Sequence, residues 1–534
     1  MAKLIKYSTI AAFMLILSSI GIFSALQLGT ISEKTFKNIE MRAPAPPPKW
    51  GWSFQSIKDY FPKLEGYIND QFAMREKLIR CYAIINYSLG VSINPEKVVI
   101  GKEDYLFLGN RWQNIIDQTT GNDVFDRHHL NQLLYHMALR QKYLKKRGIE
   151  FYVFVVPNKH TIYPEYLPTW VTPSGKTTLS QLHNETKSFK FINPLTYLLS
   201  AKKKYGQRLY NKTDSHWSRL GAYIGYQVII QAIRQDFPKT LPLTLESKDF
   251  IYTPDSCGGG LALMLRLDGH VNDFYMQIQS SKLQNSESIK KTDFNGYEQS
   301  LDPFNHIRWH EKALFSNTMK PYTVLVLMDS FMEKMAVFLN HTFGKTIYCH
   351  YKDVDGRTID ELVKKYRPDF VIYQMVERSL KLKESHLTAG NLIQWAFDFR
   401  TLSQFGGTDL HQHAKQLNAI AVQSQNCGVF SFKATSNDPY FTLPPSKLPK
   451  NSYLCLELEM ISPEDTTLEV FYQTLDTYHY SPAQSVKQRL AKGLNKIRLP
   501  IPEKGIRGDR IRIDPGTMPG LYQISSISLM SLAQ

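Results

Sequence analysis

The chain has 534 residues, 43% hydrophobic and 21% charged, with a formal net charge of +16. This length and balance exclude a disordered or fibrous chain and leave room for two folded domains. The positive excess suits an acidic polymer or an anionic lipid surface, or serves solubility alone. Without a helix-turn-helix, zinc-finger or RNA-binding pattern, no nucleic-acid partner is expected.

Lys3 and Lys6 precede an uncharged stretch, residues 7–32, rich in Ile, Leu, Phe and Ala. A span of about 20 apolar residues crosses a bilayer, and flanking lysines stay on the cytoplasmic side. Residues 1–32 are therefore read as an uncleaved membrane anchor. A cleavable signal peptide competes, but Phe23 stands two before Ala25, where a small residue is wanted. In a bacterium this gives a single-pass inner-membrane protein with its bulk in the periplasm. Residues 33–59 follow as a spacer, its Arg42-Ala-Pro-Ala-Pro-Pro-Pro-Lys49 run stiff and extended, holding the folded part off the membrane.

Tyr60, Leu64, Tyr67, Ile68, Phe72 and Leu78 recur at helical spacing, with Asp70 and Arg75 read as an ion pair on that stretch. From about residue 126, helix and strand alternate. Leu130, Leu134, Met137 and Leu144 form one helix face, and Gly148 ends it before the apolar run Ile149–Val156. The runs Thr323–Met328 and Phe370–Tyr373 repeat that pattern, the second after a helical Ile359–Lys365. Continuous apolar runs between helices predict an α/β fold with a mostly parallel sheet, covered on both faces, over residues 60–410. Sites in such sheets lie at the carboxyl ends of the strands, where Ser330 falls.

From about Asn426 the pattern changes to short alternating strands, such as Leu454-Cys-Leu-Glu-Leu-Glu-Met460, punctuated by glycine and proline. Residues 425–534 are read as an all-β sandwich. Five cysteines, Cys81, Cys257, Cys349, Cys427 and Cys455, show no CxxC or CxxH spacing, so no metal centre is expected. Cys427 and Cys455 are a candidate disulfide.

Two segments carry chemistry. Asp214-Ser215-His216-Trp217 puts a carboxylate and an imidazole two residues apart, and Met328-Asp329-Ser330-Phe331 puts a serine just after a buried strand. A serine hydroxyl needs a base to take its proton, and a histidine does so best when a carboxylate fixes its tautomer. Each segment alone has a plainer reading: Asp214 or Ser215 capping the helix of Leu220, Ile224 and Val228, and Asp329-Ser330 as a polar turn. Their co-occurrence in one α/β domain favours a Ser330–His216–Asp214 triad, in the order Asp, His, Ser.

The constellation resembles the SGNH-hydrolase superfamily, and more closely its alginate O-acetyltransferase branch, the AlgX and AlgJ type. Thr213 to Trp217 matches the branch's Thr-Asp-x-His-Trp element, and Met328-Asp329-Ser330 its late serine element, with Met328 where an SGNH box has glycine. Val156-Pro157-Asn158-Lys159, Tyr163-Pro164-Glu165, and Val99 to Lys102 with Leu106-Phe107 add to the likeness, which covers roughly residues 60 to 400. The resemblance implies an SGNH-like domain with Ser330 as the acylated nucleophile, His216 as base and Asp214 as its orienter. The Ser330 N–H and the Gly258-Gly259-Gly260 turn are the candidate oxyanion donors, with Asp329 shaping the turn. Trp217, Arg219, Lys159 and Tyr163 are candidate sugar or acid contacts, against core packing or salt bridges. Glu377-Arg378 borders the site or forms a structural ion pair.

The sandwich resembles the carbohydrate-binding modules of some members, with Tyr472, Tyr478, Tyr480 and Arg512 as candidate contacts. The implied function is O-acetylation of an exported, possibly acidic polysaccharide, without a cofactor. The implied acetyl donor partner is a membrane-bound O-acyltransferase. A carbohydrate esterase (a deacetylase) using the same triad, and a non-catalytic polysaccharide-binding scaffold, are the rival readings.

Overall fold

A computed structural model of the chain describes residues 2–25, 32–33, 36, 42–72, 74–186, 189–255, 257–284, 289–295, 298–299, 312–353, 356–381, 399–423, 428–450, 452–503 and 505–532. Its centre is an eight-stranded sheet. In spatial order the strands are Lys190–Ile192, Glu150–Val156, Phe370–Val376, Thr323–Met328, Lys345–His350, Ala313–Asn317, Ile289–Asp293 and Glu298–Gln299. The first five run parallel and the last three pairings are antiparallel. The strand leading to Ser330 is thus central, paired along its length with Lys345–His350 and with Phe370–Val376.

The alternation of side chains explains the unbroken apolar runs. Tyr152, Phe154, Val156, Val324, Val326 and Met328 pack into one core, and Phe151, Val153, Val155, Leu325 and Leu327 into a second on the opposite face. The helix Arg219–Asp236 covers the first face through Leu220, Tyr226, Ile229 and Ile233. Helices Arg127–Lys145 and Gly356–Tyr366 cover the second through Leu133, Met137, Ile359 and Val363. Lys345–His350 and Ala313–Asn317 escaped the sequence reading because each is short and flanked by polar residues.

Two antiparallel sheets follow. One holds six strands, including Leu454–Ser462 and Gly520–Leu532, and the other five, including Thr466–Thr474 and Ile506–Asp514. Leu456, Leu458 and Met460 of the first meet Leu468, Val470 and Ile513 of the second in a shared core. Strand Phe399–Gly406 pairs with Gly520–Leu532, so the antiparallel part begins upstream of residue 425. Tyr453 packs at a tilt against Tyr135 of the α/β domain, with ring centroids 4.8 Å apart.

Four expectations change. Residues 2–25 form one helix, but among the described residues no helix is long and apolar enough to cross a membrane. The proline run is not a free spacer. Arg42 donates two hydrogen bonds to Asp70 at 2.6 and 2.7 Å, and the Ala45 N–H donates to Asp70 at 2.8 Å, folding the run onto helix Phe54–Gln71. Asp70 therefore pairs with Arg42, while Arg75 contacts Glu76. Cys455 is a buried free thiol, and Cys427 lies outside the described residues.

One packing constraint bears on the site. The Trp217 indole lies against Gly225 of helix Arg219–Asp236, where an added Cβ would meet ring atoms at 2.7 and 2.8 Å. Overpacking of this kind costs about 1–3 kcal/mol. Gly225→Ala is expected to lower the unfolding free energy by that amount, read as a lower urea midpoint at unchanged m-value in equilibrium unfolding.

Candidate active site

The serine is positioned from its own strand and the next. Asp329 leaves Thr323–Met328 in extended conformation and caps the 3-10 turn Ser330–Lys334, its Oδ1 accepting from the Phe331 N–H at 2.9 Å. The same carboxylate accepts from Gln374 Nε2 at 2.8 Å and from the Val376 N–H at 2.7 Å, while the Asp329 N–H donates to Gln374 Oε1 at 3.0 Å. Asp329 shapes the turn, as expected. Met328 is fully buried and is not among the residues with left-handed backbone, so the strand end does not demand a glycine. Its side chain fills core volume that a glycine would leave empty.

The second half arrives from the loop before helix Arg219–Asp236. Ser218 caps that helix, accepting from the Gly221 N–H at 3.2 Å, which leaves Asp214 and Ser215 free of the capping role first considered for them. Asp214 Oδ1 accepts from the His216 N–H at 2.9 Å and from His216 Nδ1 at 2.7 Å. His216 Nε2 lies 2.8 Å from Ser330 Oγ. Ser330, His216 and Asp214 thus form one continuous hydrogen-bonded chain, an arrangement that suits nucleophilic serine chemistry. All three are reachable, with Asp214 and His216 side chains 21% and 28% exposed and Ser330 half-buried. Burial acts to raise the Asp214 pKa. The adjacent His216, its hydrogen bonds and the Lys334 charge outweigh that and hold the carboxyl well below its usual range. A carboxyl held toward its ionised form suits the orientation of His216 and the stabilisation of its cation.

The remaining expected contacts have structural duties instead. The Gly259 N–H donates to Thr213 Oγ1 at 2.7 Å and the Gly260 N–H to Asp214 Oδ2 at 3.1 Å, so neither is available as an oxyanion donor. A Cβ on Gly259 would stand 2.7 Å from the Asp214 Cβ, which explains the glycine. Lys159 is buried, its Nζ donating to the carbonyls of Leu106, Lys212 and Asp214 at 2.8, 2.7 and 3.1 Å. Trp217 is buried and donates from Nε1 to the Phe331 carbonyl at 2.8 Å, tying the histidine loop to the serine turn. Tyr163 is buried and donates to the Gly206 carbonyl at 3.0 Å, and Arg219 is buried at the start of its helix. None of these four is presented to a substrate. Glu377 and Arg378 are not an ion pair: Glu377 Oε2 accepts from the Asn158 N–H at 2.9 Å and from Thr161 Oγ1 at 2.6 Å. Of the sandwich candidates, Tyr472 is core and Arg512 pairs with Asp514, while Tyr478 is exposed.

Two supporting residues were missed. Asp273 accepts from the N–H and Oγ1 of Thr213, each at 2.6 Å, and Gln374 grips Asp329. A lone aspartate before a short strand gives no sequence signal. A glutamine inside an otherwise apolar strand does, since a buried amide needs a partner.

Residues 98–356 match the family model described as SGNH hydrolase-like domain, acetyltransferase AlgX. That segment is similar to an SGNH-like domain of the AlgX/AlgJ type. A probable alginate O-acetylase AlgJ of Pseudomonas fluorescens is 26% identical over 256 residues, 47% of this chain and 60% of the relative. Its counterpart in Pseudomonas syringae pv. tomato is 25% identical over 215 residues, 40% of this chain and 50% of the relative. The chain thus spans about half to three-fifths of the curated relatives it matches. The solved structure of Bacillus cereus PatB1 is 17% identical, covering 55% of this chain and 99% of that one at a TM-score of 0.43, a likeness too low to carry a functional argument.

Two outcomes follow from the geometry. Asp214→Asn keeps the shape but loses the charge and the enforced tautomer, and is expected to lower turnover at Ser330 by roughly 10⁴-fold, measured as acylation rate with an activated acetyl ester. Burial pushes Lys159 down to about 7, with the Asp273 and Asp214 charges acting the other way. Between that value and the ordinary lysine pKa the unfolded chain holds more protons, so this group makes stability rise with pH from about 7 to about 10. Lys159→Met is expected to flatten that rise, read from urea midpoints across the same window.

Proposed function

We propose that the protein is an O-acetyltransferase that carries acetyl through Ser330 to a hydroxyl of an exported polysaccharide. The observation that supports this best is the unbroken chain from Asp214 Oδ1 through His216 to Ser330 Oγ, at 2.7 and 2.8 Å. His216 Nε2 takes the Ser330 proton as Oγ attacks the acetyl carbonyl of the donor. The tetrahedral intermediate collapses, and the donor's leaving oxygen departs with the proton from His216. A sugar hydroxyl then gives its proton to His216 and attacks the acyl-serine ester, and on collapse the Ser330 oxygen leaves with the proton from His216, forming the sugar acetate and the free serine. Asp214 holds the imidazolium formed in each half.

The AlgX/AlgJ likeness of residues 98–356 supports a polysaccharide acceptor, and with it a membrane-bound O-acyltransferase as the source of acetyl groups. Lys3 and Lys6 ahead of an apolar helix support export to the periplasm. The antiparallel sandwich, with Tyr478 exposed, is proposed to hold the polymer.

The test is mass spectrometry of full-length protein incubated with an acetyl donor, then with glycan. Wild-type protein is expected to gain an acetyl group on the Ser330 peptide and to pass it to the glycan, and Ser330→Ala to do neither. Release of free acetate with no glycan product would defeat the transferase assignment in favour of the esterase, and an unmodified wild-type Ser330 would defeat both.

A further inference from the structure

The proposed chemistry leaves one unfilled role. Attack on an acetyl carbonyl places a negative charge on its oxygen, and removing a donor aimed at that oxygen costs about 10²–10³ in rate. Most of the donors around Ser330 are already engaged. The N–H groups of Gly259 and Gly260 are engaged with Thr213 and Asp214. The Phe331 N–H and the Gln374 amide are engaged with Asp329, and the Trp217 indole N–H with the Phe331 carbonyl. The Lys334 charge acts on Asp214. The Ser330 N–H, first in its turn, has no acceptor among the described residues, as first-turn amides generally lack one within the helix.

Arg378 is a second donor with no hydrogen-bond acceptor among the described residues, and it lies against the serine turn. It follows the strand Phe370–Val376, whose last N–H donates to Asp329 at 2.7 Å, so its backbone is tied to the serine turn. The Arg378 N–H donates to Asn158 Oδ1 at 3.4 Å, and its carbonyl accepts from Gln118 Nε2 at 3.1 Å. The guanidinium carbon lies 5.5 Å from the centre of the Phe331 ring, and that ring lies 4.9 Å from the His216 imidazole. Among the described residues the guanidinium has no hydrogen-bond or ion-pair partner, and the neighbouring Glu377 is spent on Asn158 and Thr161. Burial disfavours the charged guanidinium, with the Asp329 and Asp214 charges acting the other way, and a half-buried cation that no hydrogen bond satisfies is costly in the resting protein. Such a cost is recovered where a negative charge appears during reaction.

We infer that the Arg378 guanidinium and the Ser330 N–H together form the oxyanion hole. The inference rests on the serine acylation proposed above. As the Oγ–carbon bond forms, the carbonyl π pair moves onto oxygen and is held by these two donors. On collapse the pair returns to the carbonyl, and the leaving oxygen takes the proton from His216. Arg378 is then a catalytic residue, matched to charge that exists only in the tetrahedral state.

The experiment uses full-length protein and p-nitrophenyl acetate, with Ser330→Ala as the baseline. Arg378→Ala is expected to lower kcat by about 10²–10³ while KM moves less than about threefold, with Arg378→Lys intermediate and the circular dichroism unchanged. Millimolar guanidinium is expected to restore part of the Arg378→Ala rate and none of the Ser330→Ala rate, which a purely structural role would not allow. If Arg378→Ala does not fold, Arg378→Lys and Arg378→Gln carry the same comparison. A wild type clearly faster than Ser330→Ala, with Arg378 variants within about threefold of it, overturns this inference alone. A loss confined to KM overturns it in favour of ground-state anion binding. A wild type no faster than Ser330→Ala removes serine acylation itself, and the oxyanion hole with it.

Discussion

The buried carboxylate of Asp329 is the joint on which the site depends. It sits between two parallel strands and binds the Phe331 N–H in its own turn and the Gln374 amide and Val376 N–H in the neighbouring strand. Hydrogen bonds to a charged acceptor contribute about 1.5–3 kcal/mol each, and losing the acceptor would strand three buried donors. The consequence is geometric: the first residue of the turn, Ser330, has little freedom relative to the end of Phe370–Val376. That registration places the hydroxyl 2.8 Å from His216 Nε2 and brings Arg378 beside the Phe331 ring.

Around that joint the molecule spends its buried polar groups on loop position. Lys159 gathers three carbonyls, Asp273 holds Thr213, and the Trp217 indole bonds across from the histidine loop to the serine turn. Each group is polar, buried and fully engaged, which makes the loops stiff rather than responsive. The side chains of Asp214, His216 and Ser330 remain partly exposed.

Much of this was legible in the sequence. The buried strands declare themselves through unbroken apolar runs, because both faces of the sheet are covered. The position of Ser330 after one of them, and the Asp-x-His spacing, suffice to nominate the three residues the structure joins. What was not legible is the partition between contact and support. Trp217, Lys159, Tyr163 and Arg219 have side chains that bind ligands in many proteins, and only their burial shows them turned inward. Gly259 and Gly260 look like donors until the loop they approach is known, and the role of Arg42 depends on a fold-back onto Asp70 that proline content argues against.

The separation of the two halves along the chain has a kinetic meaning. His216 and Ser330 stand 114 residues apart, and between them lie a β-hairpin and the strand Ala313–Asn317. Parallel pairing over such intervals forms late, because loop closure must precede the contacts that reward it. A nascent or partly folded chain therefore carries Ser330 as an ordinary alcohol, without a base beside it. On the proposed chemistry, reactivity toward acyl groups is a property of the finished sheet, so trapping of Ser330 by an acylating reagent would report completion of folding as directly as chemistry.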